Sequence, residues 1–370
     1  MSCRVRDRCL ELERAIVGRV SSGNLGLDDA VKLFGELLHH ARPASVIAIN
    51  QLLTAVSRAQ RRGSSSSELV PSLFNRMARA CSNKVAPELH TYSILINCFC
   101  RMGRLELGFA AFGLILKTGW RVDDIVISQL LKGLCDRKCV SEAMDILLRR
   151  MPEFGCPPDV VAYNIVINGL FREGQVDKAY NLFREIDNQG ILPTVVTYNT
   201  VINGLCKAQA VDRAEGVLRQ MVHKGVKPDN QTYTCLIHGY CSSGQGKEVV
   251  RMLKEMSAHG HGPNVVTCTL LLDYLCKSGI CTEARKIFDS MIEKGTKPNV
   301  TTYNTLLNGY ATKGALSDMH GLLDLMAGND ISPNHCTFNV VLWAYAKGGM
   351  IDGAMHIFDQ MRQQGLSPDV

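Results

Sequence analysis

The stretch VVTYNTVINGLCK, residues 195–207, decides the fold because the chain writes it again: VVAYNIVINGLFR begins at Val160 and VTTYNTLLNGYATK at Val300. A single copy reads as a β-branched strand running into a turn. Repetition overturns that reading. Aligned on the residue after the Tyr-like position, Ser93, Ser128, Asn164, Asn199, Thr234, Thr269, Asn304 and Asn339 follow at separations of 35, 36, 35, 35, 35, 35 and 35. A period of that length held so evenly is the signature of stacked supersecondary units.

Each unit contains two apolar stripes at helical spacing. In residues 195–229 the first is Tyr198, Val201, Ile202 and Leu205, and the second is Val211, Ala214, Val217, Leu218 and Met221. Between the stripes most units place a glycine (Gly103, Gly174, Gly244, Gly279, Gly314, Gly349), which suits a tight turn. After the second stripe come KGVKPD, KGTKPN and QGLSPD, where Gly stops a helix and Pro prevents its resumption. Ala143, Ala179, Ala214, Ala284 and Ala354 recur near the start of the second helix, where small size lets helices approach. Met221, Met256, Met291, Met326 and Met361 recur at its far end as core filler. One hairpin of this kind cannot bury its apolar face, whereas stacked neighbours share a continuous core. The expectation is an all-α solenoid with no strand.

The units run 89–123, 124–159, 160–194, 195–229, 230–264, 265–299, 300–334 and 335–369, and Val370 starts a further, truncated one. The array is therefore either naturally truncated or a fragment of a longer protein. Residues 25–88 read as a degenerate, lengthened N-terminal cap: SVIAINQLLTAVSRAQ resembles a first helix with Asn50 at the variable position, and RRGSSSSELVPS forms a long polar loop. Residues 1–24 carry five arginines on an amphipathic pattern, but also Asp7, Glu11 and Glu13. They read as a candidate organelle-targeting segment or as an ordinary surface helix.

Composition sets the bounds. With 46% hydrophobic and 21% charged residues, the 370-residue chain is too apolar to be disordered. A net charge of +6 permits a polyanionic partner without requiring one. The fifteen cysteines include no CxxC pair. Cys100, Cys135, Cys206, Cys241 and Cys276 instead keep repeat spacing, as small, partly buried residues at one helix position would. No apolar run reaches the length of a membrane span. No HExxH, GxxxxGK[ST], carboxylate cluster or nucleophile motif occurs, so neither enzyme, metal nor cofactor is implied.

The consensus VVTYNxLIxGxCKxGxxxxAxxLFxxMxxxGxxPD resembles the pentatricopeptide repeat family, strongly over 89–370 and weakly over 25–88. The W…LG…Y pattern of 34-residue tetratricopeptide repeats is absent. Uniform units resemble the family's pure class, and the GLCK wording and atypical cap resemble its plant restorer-of-fertility-like branch. The resemblance implies a right-handed superhelical solenoid of 35-residue helix-turn-helix repeats. It also implies sequence-specific binding to single-stranded RNA at one base per repeat, and action in mitochondrial, or alternatively chloroplast, transcript processing, stability or translation. Protein processing factors would be further partners of a monomer without membrane association.

In the family each base is read by the residue after the Tyr position together with the last residue of the unit. Here those pairs are Ser93 with Asp123, Ser128 with Asp159, Asn164 with Thr194, Asn199 with Asp229, Thr234 with Asn264, Thr269 with Asn299, Asn304 with Asn334, and Asn339 with Asp369. All sixteen are short and polar, as rigidly held readers of donors and acceptors need to be. Ser, Thr, Asn and Asp also start and cap helices, which accounts for the residue class but not for two columns varying within it. By the family's rule the array spells 5′-GGYUAAYU-3′, with Asn164 and Thr194 as an uncommon pair and Asn50 with Glu88 as an unassigned base before it. Three residues before each first reader, Ile125, Val161, Val196 and Val266 fit a base-sandwiching role, whereas His90, Gln231, Thr301 and Cys336 depart. Eight residues after it, Arg101, Arg172, Lys207, Lys277 and Lys347 fit a phosphate-facing column that Asp136, Ser242 and Thr312 break. The competing reading is a helical scaffold presenting a groove to protein or peptide partners.

Overall fold

A computed structural model describes residues 3–22, 25–40, 45–59, 69–80, 86–363 and 365–366. Among them every regular element is a helix. The chain divides into two compact units, Met1–Pro193 and Thr194–Val370.

The first unit opens with two hairpins, Cys3–Ser22 with Leu27–His40 and Val46–Ala59 with Leu69–Ala80. Three repeats follow, whose first helices are Leu89–Arg101, Asp124–Asp136 and Val160–Arg172. The second unit holds five more, with first helices Val195–Lys207, Asn230–Ser242, Val265–Lys277, Val300–Lys313 and His335–Lys347. Within each unit a first helix packs against its own second helix and against the first helix of the next repeat. The shared core therefore runs along the stack rather than inside any one hairpin.

The sequence stripes become that core. Tyr198, Ile202 and Leu205 are fully buried with Ala214 and Met221, and Tyr233 and Tyr303 repeat the arrangement. Ile202, Leu205 and Met221 each contribute about 1.5–3 kcal/mol by leaving water. The cysteine column meets a glycine column one repeat on: a Cβ added at Gly239 would lie 2.7 Å from Cys206 Sγ, and one at Gly169 would lie 2.6 Å from Cys135 Sγ. Sulfur thus fills the space that glycine leaves. Burial pushes the Cys206 thiol up to about 12, so it is inert packing material.

Turn geometry follows the glycines, which take φ of 71° at Gly103, 76° at Gly174 and 77° at Gly279. Where the sequence lacks glycine at this turn the backbone keeps the same left-handed conformation, at Lys138 (φ 61°) and Gln209 (φ 60°). Stacking overrides the local preference there.

The repeat of 36 residues accommodates its extra residue inside its second helix. A π-helical turn, Ile146–Arg150, interrupts residues 140–153. It returns Met151 to the core, fully buried beside Ala143 and Leu147. A bulge in the helix thus preserves packing register where the loops keep their length.

The N-terminal segment is a packed helix: Ile16 is fully buried, and Ser45 Oγ donates to Glu13 Oε1 at 2.7 Å. Among the described residues no helix is long and apolar enough to cross a membrane.

Candidate nucleic-acid interface

The last residue of each repeat is the N-cap of the next repeat's first helix. The side chains of Asp159, Thr194, Asp229, Asn264, Asn299 and Asn334 each accept the backbone N–H three residues on, and Asp123 accepts that of Ile125. The first reader lies one turn inside the preceding first helix. Where both lie among the described residues of one unit, stacking brings the two together across some 30 residues of sequence.

The pairs differ in chemical state. Asn199 Nδ2 donates to Asp229 Oδ1 at 3.0 Å, and Asn304 Nδ2 donates to Asn334 Oδ1 at 3.1 Å. Burial alone would raise the Asp229 carboxyl, but the Thr232 N–H, the Asn199 amide and the Thr232 hydroxyl hold it below the usual carboxylate range. Thr234 behaves differently, because its hydroxyl donates to the carbonyl of Asn230 at 2.7 Å. Thr269 does the same to Val265 at 2.7 Å, so these two readers present lone pairs. Asn264 and Asn299 spend Oδ1 on Thr267 and Thr302, leaving Nδ2 as a donor.

A threonine column that contacts the first residue of four of the pairs escaped the sequence reading. Thr91, Thr197, Thr232, Thr267, Thr302 and Thr337 occupy the third position of their helices and are almost wholly buried. Thr232 Oγ1 donates to Asn199 Oδ1 at 2.6 Å and accepts the Asp229 N–H at 3.1 Å. Thr337 Oγ1 donates to Asn304 Oδ1 at 2.7 Å and accepts the Asn334 N–H at 3.1 Å. Thr267 and Thr302 contact Thr234 and Thr269 hydroxyl to hydroxyl at 2.9 and 3.0 Å. The signal lay in the T of VVTYN, which reads in isolation as a β-branched helix-start residue. Val126 and Ala162 stand at the same position in the second and third repeats. Correspondingly, Ser93 bonds instead to Gln129, whose Nε2 donates to it at 3.2 Å.

Around the readers lie slots. A groove of about 590 Å³ is lined by His90, Ser93, Asp123 and Ile125, and one of about 400 Å³ by Ile125, Ser128, Asp159 and Val161. Ile125 and Val161 in the first unit are 60 and 50% exposed, and Val196 and Val266 in the second are 64 and 59% exposed, so each unit turns apolar side chains to solvent near its polar pairs. That is costly for a surface with nothing to bind and suits flat ring faces. Asn164 lies in the first unit with Oδ1 buried and unpaired, and Thr194 opens the second unit. Asn339 is exposed, while Asp369 and Val370 lie outside the described residues.

The cation column is exposed but largely engaged. Arg101 Nη1 donates to the carbonyl of Ser57 at 2.9 Å, Arg172 pairs with Asp136 at 2.7 Å, and Lys277 pairs with Asp273 at 2.7 Å. Lys347 Nζ donates to the carbonyl of Thr312 at 3.0 Å and lies over the Trp343 ring. Lys207 has no such partner among the described residues. Exposed ion pairs contribute only ~0–1 kcal/mol, so a phosphate competes with them readily. Among the described residues no group of three or more His, Cys, Asp or Glu could hold a metal.

Stacked helical hairpins that carry recurring polar pairs beside exposed apolar residues define a helical-repeat protein. The PPR repeat family matches residues 122–172, 158–207, 193–242, 232–277, 263–312, 298–347 and 333–370, with a further PPR repeat at 83–112, and the chain belongs to this pentatricopeptide repeat family. The chain is 50% identical over 152 residues to Protein Rf1, mitochondrial, of Oryza sativa subsp. indica, which covers 41% of this chain and 18% of that protein. This likeness sets it with the restorer-like branch. It is 33% identical over 137 residues to the putative pentatricopeptide repeat-containing protein At1g12700, mitochondrial, of Arabidopsis thaliana, covering 35% of this chain and 21% of that one. The chain thus spans about a fifth of each relative's length. The crystal structure of the pentatricopeptide repeat protein PPR10 in complex with an 18-nt psaJ RNA element superposes with a TM-score of 0.69 at 20% identity, covering 95% of this chain and 52% of that one. That likeness shows the solenoid fold.

Proposed function

We propose that this chain binds single-stranded RNA at one base per repeat, without catalysis of its own, and acts in mitochondria on transcript processing, stability or translation. The observation that carries the reading is the alternation of donor and acceptor states across otherwise similar slots. A base edge is distinguished by its donor and acceptor pattern and by its size.

The hydrogen-bond accounting supports an assignment at each slot. In the repeat of Thr234 and Asn264 a short hydroxyl leaves room for a purine, its lone pairs accept an exocyclic amine, and the free Asn264 Nδ2 donates to a ring nitrogen. Adenine fits that set, and Thr269 with Asn299 matches it. Asn199 is longer and favours a pyrimidine; its remaining amide proton donates to a carbonyl while Asp229 Oδ2 accepts a ring N–H. Uracil fits. Ser93 with Asp123 and Ser128 with Asp159 combine a short hydroxyl with a carboxylate, which suits the N1–H of guanine. Asn304 with Asn334 offers an amide donor to either pyrimidine. The resulting order is 5′-GGYUAAYU-3′, with the uncommon Asn164 and Thr194 pair as the third base and the uncharted Asp369 in the eighth pair.

Relatives named as mitochondrial support the organelle, and the RNA complex of a chain with the same fold supports the ligand class. Short amides, hydroxyls and carboxylates at the paired positions disfavour a peptide groove, which needs larger and more varied side chains. The test is binding of 5′-GGUUAAUU-3′ RNA by the chain and by a Thr234→Asn plus Asn264→Asp variant. The preference at the fifth base shifts from A to U in the variant. An unshifted preference, or equal affinity for unrelated RNAs, refutes base reading.

A further inference from the structure

We infer that the degenerate N-terminal cap holds a ninth base slot, one that takes a uridine nucleotide immediately 5′ of the eight-base target. The inference rests on the base-reading proposal above and extends it to helix Val46–Ala59, which lies outside the residues matched by the family.

Four features of the regular slots recur there in three dimensions. Ile47 is 65% exposed, like the apolar residues of the sandwich column, and stands three residues before Asn50 as they stand before their readers. Asn50 is 95% buried, with 5% of its surface exposed. Its Oδ1 accepts the Thr91 hydroxyl at 2.8 Å, the counterpart of the Thr232 bond to Asn199 at 2.6 Å. Thr91 in turn accepts the backbone N–H of Glu88 at 3.1 Å, and Glu88 is the N-cap residue of helix Leu89–Arg101. Arg101 closes the far end of the helix pair on Ser57, much as Lys347 bonds to Thr312.

Sequence spacing conceals the equivalence. The Thr91 to Asn50 bond spans 41 residues where the Thr232 to Asn199 bond spans 33, a difference of eight. The extra residues fall between helices Val46–Ala59 and Leu89–Arg101 and do not disturb the reader geometry.

The chemistry of the slot resembles that of Asn199 with Asp229. With Oδ1 held by Thr91, Asn50 is left with Nδ2 to donate, and among the described residues nothing accepts from it, whereas Asn199 Nδ2 is partly spent on Asp229. The exposed Glu88 carboxylate supplies the acceptor. A long amide donor with a carboxylate acceptor selects a pyrimidine that carries a ring N–H next to a carbonyl, which is uracil. Its ring lies between Ile47 and His90, the exposed residues at the sandwich position of adjacent first helices.

Affinity is measured for 5′-GGUUAAUU-3′ and for nine-base RNAs that add U, C, A, G or an abasic ribose at the 5′ end, using the full chain and the Ile47→Ala and Asn50→Ala variants. The abasic RNA controls for the added phosphate. The expected result is that U tightens binding about tenfold over the abasic RNA, the equivalent of a pair of good hydrogen bonds. Both variants remove most of that gain, and Ile47→Ala, at an exposed site, does so without leaving a buried group unpaired. If the eight-base RNA binds but all nine-base RNAs match the abasic one, the cap slot is refuted alone. A purine preference that survives Ile47→Ala refutes it as well, and failure of the eight-base RNA to bind refutes the base-reading proposal and this slot together.

Discussion

Replacing Thr232 with Val removes one hydroxyl and leaves the shape nearly unchanged. That hydroxyl donates to Asn199 Oδ1 at 2.6 Å and accepts the Asp229 N–H at 3.1 Å, in a residue with no exposed surface. Asn199 is itself 5% exposed, so its carbonyl cannot turn to water without leaving its slot. Each stranded buried group costs about 1–3 kcal/mol. Asp229 is only half-buried and its N–H recovers part of its loss, so the expected destabilisation is about 2–3 kcal/mol. Thr302→Val is the internal comparison: its hydroxyl touches Asn299 Oδ1 and the Thr269 hydroxyl at 3.0 Å and the Asn299 N–H at a long 3.4 Å, but Asn299 Oδ1 still accepts the Thr302 N–H and Thr269 still donates to Val265, so no partner is wholly stranded and the expected loss is about 1 kcal/mol. Urea unfolding monitored by circular dichroism measures both. The same Thr232 variant frees the Asn199 amide to rotate, and the preference for U over A at the fourth RNA base falls roughly tenfold, about 1.4 kcal/mol of discrimination. A stability loss below about 0.5 kcal/mol together with unchanged base preference refutes the role of the threonine as the tie between readers.

Three further outcomes follow from the packing and the charges. Gly239→Ala places a methyl 2.7 Å from Cys206 Sγ and destabilises by about 1–3 kcal/mol, and Cys206→Ala in the same chain recovers part of that loss; strict additivity in a double-mutant cycle contradicts the contact. Gln209→Gly relieves a left-handed residue at φ 60° and raises stability by about 0.5–1 kcal/mol, read as a higher Tm; a lower Tm contradicts it. Asp229 has a folded pKa below its unfolded value, so its contribution to stability is full above the ordinary carboxylate range and is lost as pH falls through the lowered folded value. Unfolding at pH 7 and pH 3 therefore shows a smaller acid-induced loss in Asp229→Asn than in the parent chain, and an equal loss counts against the bonding described.

Much of this molecule was legible from spacing alone. Helical hairpins, their turns and their core columns follow from periods of 3.6 and 35, because burial selects residues by helix face and stacking repeats the selection. The candidate readers were legible as residue types but not as chemical states. Nothing in the letters Thr234 and Asn199 says that one hydroxyl is spent on its own helix while one amide is held by a threonine 33 residues away. The cation column was legible as five charges at one spacing, but not the pairing of Arg172 with Asp136, a residue that breaks the column in the preceding repeat. The T of VVTYN carried no signal of its own in the letters.

What the sequence by itself determined is the architecture of the repeat: two helices, a left-handed turn, a Pro stop and two variable polar columns, all set by local propensity and by a hydrophobic period that survives in one dimension. What only the tertiary structure decided is how the repeats meet. It placed the surplus residue of the 36-residue repeat in a π turn, joined Asn50 to Thr91 across an enlarged spacing, and set the donors and acceptors that each slot presents. Hydrogen bonds between adjacent helices depend on which atoms stacking brings within 3 Å, and chain separation does not encode that distance.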